Sequence, residues 1–147
     1  IGLVHFVGDG DDILKFKELA DKTDINFIFH GGLPRKKVFE IYKKSHIFLL
    51  PSTASEGFPK VIAEALCFGC VPIVSSVSAI GHYIKNNKNG IVIQQVSNNN
   101  LKLEIEKVLR FKNADFRKLL QNNSSFVKKF TYGYYNKRII NEIIPNL

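Results

Sequence analysis

Two carboxylates eight residues apart frame the stretch of this 147-residue chain with the most chemical potential, Ser52-Thr53-Ala54-Ser55-Glu56-Gly57-Phe58-Pro59-Lys60-Val61-Ile62-Ala63-Glu64-Ala65-Leu66-Cys67. Glu56 stands in a polar loop. Pro59 suits the first position of a helix, where its missing N–H is not needed, and the pattern predicts a helix from Pro59 to Phe68 ended by Gly69. That helix is apolar nearly all round, which implies burial against a sheet. Glu64 is the anomaly on it, because a buried carboxylate is costly unless something satisfies it. The hydroxyls of a bound polyol would do so. The helix start offers unpaired backbone N–H groups near Lys60 and Val61, a ready anion site. Glu64 lies about 7.5 Å along the axis from Pro59 at 1.5 Å per residue. One ligand could thus present phosphate to one end and hydroxyls to the other. A Glu64 that points into solvent from an amphipathic helix fits the same spacing equally well.

Other clusters are weaker. Gly8-Asp9-Gly10 follows an apolar run and opens a helix, as a dinucleotide-binding turn does, but Ile13 stands at the third glycine position. Asp9, Asp11 and Asp12 would also repel a pyrophosphate. The segment reads as a turn with an acidic helix start, which the helix dipole favours. Cys67-Phe68-Gly69-Cys70 has redox or half-zinc spacing. Zinc takes four ligands, however, and a thioredoxin-type thiol sits at a helix start, whereas this pair closes one; both cysteines are expected in the core. His5 and His46 read as structural, and His30 ends a strand where it could meet a ligand. Phe130, Tyr132, Tyr134 and Tyr135, with Lys128, Lys129, Lys137 and Arg138, have the residue types of an RNA-stacking surface but the spacing of helix packing with a solvated face. Lys36, Lys37, Lys43 and Lys44 read as a solvated face, with membrane contact as the alternative.

The elements that must carry these residues alternate. Apolar runs predict strands at Ile1–Val7, Ile25–Phe29, His46–Leu50, Val71–Val74 and Gly90–Ile93. Helices are predicted at Ile13–Lys22, Pro34–Ser45, Pro59–Phe68, Ala79–Lys85, Leu101–Phe111, Phe116–Phe130 and Tyr132–Ile144, with Gly133 as a potential break in the last. The clusters Asn86-Asn87, Asn98–Asn100 and Asn122-Asn123 are placed between elements, where Asn tolerates turn geometry. The pattern predicts an α/β, Rossmann-like, doubly wound parallel sheet with ligands at the carboxyl ends of its strands. The candidate loops are then Gly8–Asp12, His30–Arg35, Ser52–Lys60 and Ser75–Gly81.

Composition agrees with one domain: 45% hydrophobic and 23% charged residues exclude a disordered tail. A chain of this size buries roughly 68–70% of its unfolded surface and needs no disulfide or metal to hold a core. It carries no apolar run of about 18 residues, and two cysteines without a secretory leader read as a reducing, cytoplasmic context. The net charge of +8 attracts anionic partners without choosing among them. The chain lacks methionine and opens inside an apolar run, which reads as truncation at the N-terminus.

The segment Ser55–Leu66, followed by Phe68-Gly69-Cys70-Val71-Pro72-Ile73-Val74, resembles the signature of the group 1 (family 4) retaining glycosyltransferases of the GT-B fold. The resemblance extends to Val7–Gly10, Phe29-His30-Gly31, Phe48-Leu49-Leu50-Pro51-Ser52 and Asn89-Gly90-Ile91-Val92, in the order and spacing of the carboxyl-terminal, donor-binding domain. It implies that residues 1–147 form a nucleotide-sugar-binding domain that lacks its first strand and comes without the acceptor domain. Glu64 would hydrogen-bond ribose hydroxyls, and Glu56 would lie beside the transferred sugar and the leaving phosphate. Gly57 and Phe58 would present amides to sugar hydroxyls, the helix start at Pro59, Lys60 and Val61 would meet the diphosphate, and Gly31, Gly32 and Leu33 would border the nucleobase.

The resemblance also implies transfer of a hexosyl type with retention, no cofactor beyond the nucleotide-sugar donor, and no obligatory metal. The implied acceptor is a saccharide or lipid-linked sugar in the biosynthesis of a surface polysaccharide, capsule or lipopolysaccharide. The implied place is cytoplasmic, at the inner face of the membrane with peripheral association, and without a nucleic-acid partner. Two departures stand out. Ser78-Ala79-Ile80-Gly81-His82 puts His82 where family members commonly have a carboxylate, and the basic clamp on the diphosphate would precede Ile1. The absent strand is expected to leave open edges on Leu3–Val7 and Ile47–Leu50, and these residues alone are expected to transfer no sugar. The rival readings are a GT-B nucleotide-sugar epimerase and a noncatalytic nucleotide- or nucleic-acid-binding module.

Overall fold

Apolar runs become strands where a neighbouring run pairs with them, and each run here pairs in parallel because a helix intervenes. The computed structural model describes residues 2–55, 57–121 and 123–146. It divides into two units, Ile1–Lys44 and Ser45–Leu147.

The first unit holds β1 (Val4–Phe6), α1 (Ile13–Ala20), β2 (Phe27–Phe29) and α2 (Arg35–Tyr42). Val4 lies opposite Phe27 and Phe6 opposite Phe29, and the Phe6 ring sits 5.3 Å from those of Phe16 and Phe29. The predicted stripe of α1 is real but weakly covered: Leu14 is 68% exposed and Leu19 51%. Two three-residue strands offer too small an apolar face to bury a whole helix.

The second unit holds β3 (Ile47–Leu50), α3 (Lys60–Cys67), β4 (Val71–Ser75), α4 (Ile80–Tyr83), β5 (Ile91–Ile93), α5 (Asn98–Leu109), α6 (Asn113–Leu120), α7 (Asn123–Lys128) and α8 (Tyr132–Arg138). The sheet order is β3-β4-β5, all parallel. Ile47 faces Val71, and Ile73 faces Ile91. β4 is central and buried along its whole length. Because side chains alternate between faces, Val74 joins Ile62, Leu66, Ile80, Ile84 and Val92 on one side. Ile73 joins Ile91, Ile93 and Val108 on the other. Helices α3, α4 and α7 cover the first face; α5 and α6 cover the second. This is the two-sided burial that continuous apolar strands predict. Within the first unit β1 pairs with β2, and within the second β3 pairs with β4.

Four expectations need correction. The asparagines at 98–100 are not a turn: they open α5, with the Ser97 hydroxyl accepting from Asn100 N at 3.2 Å and the Asn100 amide donating to Gln95 O at 2.9 Å. The run predicted as one helix over Phe116–Phe130 is two, α6 starting earlier where Lys112 N donates to the Asp115 carboxylate at 2.8 Å. Asn123 is the first residue of α7; Asn122 lies outside the described residues. Gly133 does not break the last helix, which Thr131 caps by accepting from Tyr134 N. It continues as a π-helical turn over Ile139–Ile143 and a 3-10 turn over Ile144–Asn146.

Candidate functional site

The loop from β3 to α3 leaves the sheet at Pro51 and is tied back at two points. The Ser52 carbonyl accepts from the hydroxyl of Ser75, a fully buried residue at the end of β4. The Gly57 carbonyl accepts from Ala79 N at 3.3 Å, just before α4. Both ties come from the next strand and its loop, so β4 sets where this loop runs. Gly57 adopts a left-handed φ of +57°, a conformation that glycine reaches without a steric cost. Glu56, the expected neighbour of the transferred sugar, lies outside the described residues.

Pro59, expected as the first helical residue, is instead the residue that caps α3. It has no side-chain acceptor to offer, so Pro59 gives the first-turn N–H groups no side-chain cap. That is the condition under which a helix start receives an external anion. The expectation of a helix apolar all round is corrected: Ile62, Ala63, Ala65 and Leu66 are buried, but Val61 is 38% exposed and Lys60 and Cys67 are also open. Positions 60, 61, 64 and 67 fall on one face at helical spacing. Glu64 is half-buried in the middle of that stripe. It is neither sealed in the core nor fully in water.

The charge of Glu64 is felt at the helix end, where the Cys67 thiol is pushed up in pKa, first by burial and then by that carboxylate. Cys70 is buried as expected, its thiol pushed up to about 11 by burial and donating to Ser45 O at 3.3 Å. Cys67 is exposed, which corrects its assignment to the core. Between β4 and α4, Ser78 adopts a φ of +55°, rare for a residue with a side chain. His82, the departure from the family pattern, is exposed on α4.

In the first unit, His30 N donates to Phe6 O and Gly8 N to Gly31 O, each at 2.9 Å, so the turns after β1 and β2 are stitched together. Gly31 has a left-handed φ of +66°; the Asp9 carboxylate packs so close to Gly32 that a Cβ there would lie 2.9 Å from its oxygen. Leu33 is partly covered. His30 is engaged by His5, whose Nδ1 lies 2.9 Å from His30 Nε2 with the rings stacked. Burial lowers the His5 pKa, and the charges of His30 and Lys44 lower it further. Sequence reasoning missed this pair because parallel register, not spacing, brings residues 25 apart together. The hollow of about 200 Å³ at the end of β1 is lined by Gly8, Gly10, Asp11 and Asp12 among others. Its carboxylates make it no cradle for a pyrophosphate. Among the described residues no three His, Cys, Asp or Glu side chains could together hold a metal ion, and no helix is long and apolar enough to cross a membrane.

Sequence reasoning also missed Ser75, hidden in a buried strand, and the aromatic packing of Phe58 against Tyr83 and Phe130, at 4.8 and 4.6 Å between ring centroids. The aromatic residue types near 130 carried a signal, but nothing local showed what they face.

Known proteins resemble this chain in sequence and fold. An uncharacterized glycosyltransferase of Methanocaldococcus jannaschii is 29% identical over 129 residues, covering 86% of this chain and 36% of that protein. An uncharacterized glycosyltransferase of Haemophilus influenzae is 35% identical over 99 residues, covering 63% of this chain and 26% of its own length. The chain spans about a third or less of the relatives it matches. Among solved structures, Anabaena HepE in complex with UDP and glucose superposes with a TM-score of 0.78 at 18% identity, covering 97% of this chain and 40% of that one. The apo form of the lipopolysaccharide outer core galactosyltransferase WaaB gives 0.77 at 23% identity, covering 97% and 40%. These likenesses establish the fold, the Rossmann-like carboxyl-terminal half of a GT-B glycosyltransferase. The family described as Glycosyl transferases group 1 matches residues 3–125, most of both units, and the chain belongs to that family.

Proposed function

We propose that this chain is the donor-binding domain of a retaining glycosyltransferase and that α3 is the centre of its nucleotide-sugar site. The observation that carries the proposal is the stripe on α3: an uncapped helix start at Lys60 and Val61, with the half-buried Glu64 one turn further on the same face. The start receives the diphosphate, whose charge the helix dipole and free N–H groups stabilise. Glu64 accepts hydrogen bonds from the ribose hydroxyls. The left-handed Gly57 and Phe58 before it present amides to the sugar, with Glu56 beside the carbon that is transferred. The site acts by stabilising the departing nucleoside diphosphate, and no metal is assigned a part in it. A neighbour of the same fold was solved with UDP and with UDP-glucose, which supports a nucleoside diphosphate sugar as the ligand class. For the full-length protein the proposed reaction is hexosyl transfer to a saccharide or lipid-linked acceptor of a surface polysaccharide, at the cytoplasmic face of a membrane.

The test is thermal unfolding of the chain with UDP, GDP and ADP and their sugars. A ligand at 100 times its Kd adds about 2.7 kcal/mol, and at this size 1 kcal/mol moves Tm by about 2–4 °C. A rise of about 5–11 °C is therefore expected for the matching base. Glu64→Gln keeps the shape and removes the charge; charge-assisted hydrogen bonds contribute about 1.5–3 kcal/mol, so affinity should fall roughly ten- to a hundredfold. Stabilisation by none of the nucleotides would overturn the proposal. Equal affinity in wild type and Glu64→Gln would remove Glu64 from it.

A further inference from the structure

The ring of Phe58 lies directly before the helix start assigned to the diphosphate, and it is gripped from two separate elements. Phe130, just past α7, stacks on it with centroids 4.6 Å apart and planes 17° from parallel. Tyr83, the last residue of α4, tilts against it at 4.8 Å. Tyr83 and Phe130 also meet each other at 5.4 Å, closing a three-ring cluster, and Phe126 supports Phe130 at 5.2 Å. The cluster is only partly sunk into the domain: Tyr83 is 41% exposed and Phe130 37%. A ring set that open is a poor way to fill a core, but its geometry is specific, since aromatic faces and edges attract in preferred orientations.

The backbone beneath has two freedoms to suppress. Gly57 is left-handed, its carbonyl accepting from Ala79 N at 3.3 Å, and Pro59 gives the helix that follows no side-chain cap. Fixing the Phe58 ring fixes the backbone between them.

We propose that Tyr83 and Phe130 are positioning residues that clamp Phe58, and thereby hold the backbone N–H groups of Gly57, Phe58, Lys60 and Val61 in the geometry that receives the donor. The inference rests on the donor-site reading of α3 above and extends it to two residues far from it in sequence. Neither touches the ligand; both act through the Phe58 ring. Because Phe126 and Val127 of α7 pack on the core that contains Ile62 and Leu66 of α3, the short helix that leads directly into Phe130 is seated on the helix that Phe130 helps to aim. The segment after α6 thus takes part in donor binding rather than serving as a surface appendage.

The test uses the full-length protein with Phe130→Leu, which keeps apolar bulk and loses the ring, and Phe130→Tyr, which restores it. Two readouts are taken below the unfolding range of each variant: amide hydrogen exchange in peptides covering residues 57–62, and the Kd for whichever of UDP, GDP or ADP the wild type binds most tightly. Phe130→Leu is expected to speed exchange in that peptide at least tenfold while leaving peptides from β4 and β5 unchanged, and to weaken binding about three- to tenfold. Phe130→Tyr is expected to return both to wild-type values. Tyr83→Leu should behave as Phe130→Leu does. Unchanged exchange at residues 57–62 in Phe130→Leu would overturn the clamp whatever happens to affinity, and faster exchange with unchanged affinity would overturn its role in binding. A wild type that binds none of the three nucleotides would overturn the donor-site reading itself. That failure is recognisable because the exchange difference between Phe130→Leu and wild type would persist without it.

Discussion

Gly90 sits where β4, β5 and the end of α4 converge, and adding one methyl group there tests how tightly that junction is filled. A Cβ on Gly90 would lie 2.7 Å from Pro72 Cγ, 2.8 Å from Ile84 Cγ2 and 3.0 Å from the Pro72 carbonyl oxygen. Carbon atoms prefer separations of about 3.5–4.0 Å, so the methyl would intrude by roughly 0.7–1.3 Å in two directions at once. Neither neighbour can swing aside: Pro72 is a rigid ring in the buried central strand, and Ile84 is 1% exposed. Overpacking a filled core costs typically about 1–3 kcal/mol, which at about 2–4 °C per kcal/mol predicts a fall in Tm of about 2–12 °C for Gly90→Ala. Gly133 is the control, because a Cβ there meets nothing within 4 Å and the residue lies inside α8. Gly133→Ala should hold or raise stability, by up to about 1 kcal/mol. Thermal unfolding followed by circular dichroism reads both. A Gly90→Ala protein that melts within 1 °C of the wild type would refute the packing argument, and so would equal losses in the two variants.

The remaining expectations concern buried donors and titrating groups. Ser75→Ala leaves the part-buried Ser52 carbonyl without its hydroxyl partner; the net worth of such a bond is about 0.5–1.5 kcal/mol, so Tm should fall by a few degrees, and an unchanged melt would show that the tie from β4 does not hold the loop. In the native chain at pH 8 a thiol reagent should label Cys67 and not Cys70, because Cys67 is exposed while burial holds Cys70 at a pKa of about 11; labelling of Cys67→Ser without denaturant would contradict this. The folded-state pKa of His5 lies below the usual 6.5, so as pH falls the unfolded chain takes up this proton first. The stability linked to His5 is complete above about 6.5 and is lost as pH drops through the lower folded value. Melting curves from pH 8 to 5 should show a loss that His5→Asn reduces, and an identical pH dependence in that variant would exclude the pair as its source.

Much of the second unit was legible because its signals are local. Continuous apolar runs at residues 71–74 and 91–93 demand burial on both faces, and the alternating pattern of strands and helices then leaves parallel pairing as the simple solution. Helix ends were less legible where polar residues decide them: Ser97 turned three asparagines into a first helical turn, and the Lys112–Asp115 contact started α6 ahead of its apolar stripe. Contacts set by register were not legible at all. His5 meets His30 because β1 and β2 align Val4 with Phe27, and Phe58 meets Phe130 because α7 folds onto α3. No window of sequence contains both members of either pair.

Glu64 shows how the two kinds of information combine. Its neighbours Ile62, Ala63, Ala65 and Leu66 read as a buried helix, which would make a carboxylate among them costly. Yet the helix turns 100° per residue, so the four buried positions occupy one side and leave 60, 61, 64 and 67 on the other. Burial of Ile62 at 0% and Leu66 at 2%, against 38% exposure of Val61, fixes that rotation. A carboxylate placed there keeps part of its hydration. In the proposed site it would accept hydrogen bonds from hydroxyls laid along the open stripe, one turn beyond the N–H groups assigned to the phosphate. A fully buried Glu64 could not reach such a ligand, and a fully exposed one would gain little from it, since water competes for the same bonds. The half-buried position lies between these failures, and it follows from the phase of the apolar residues around it.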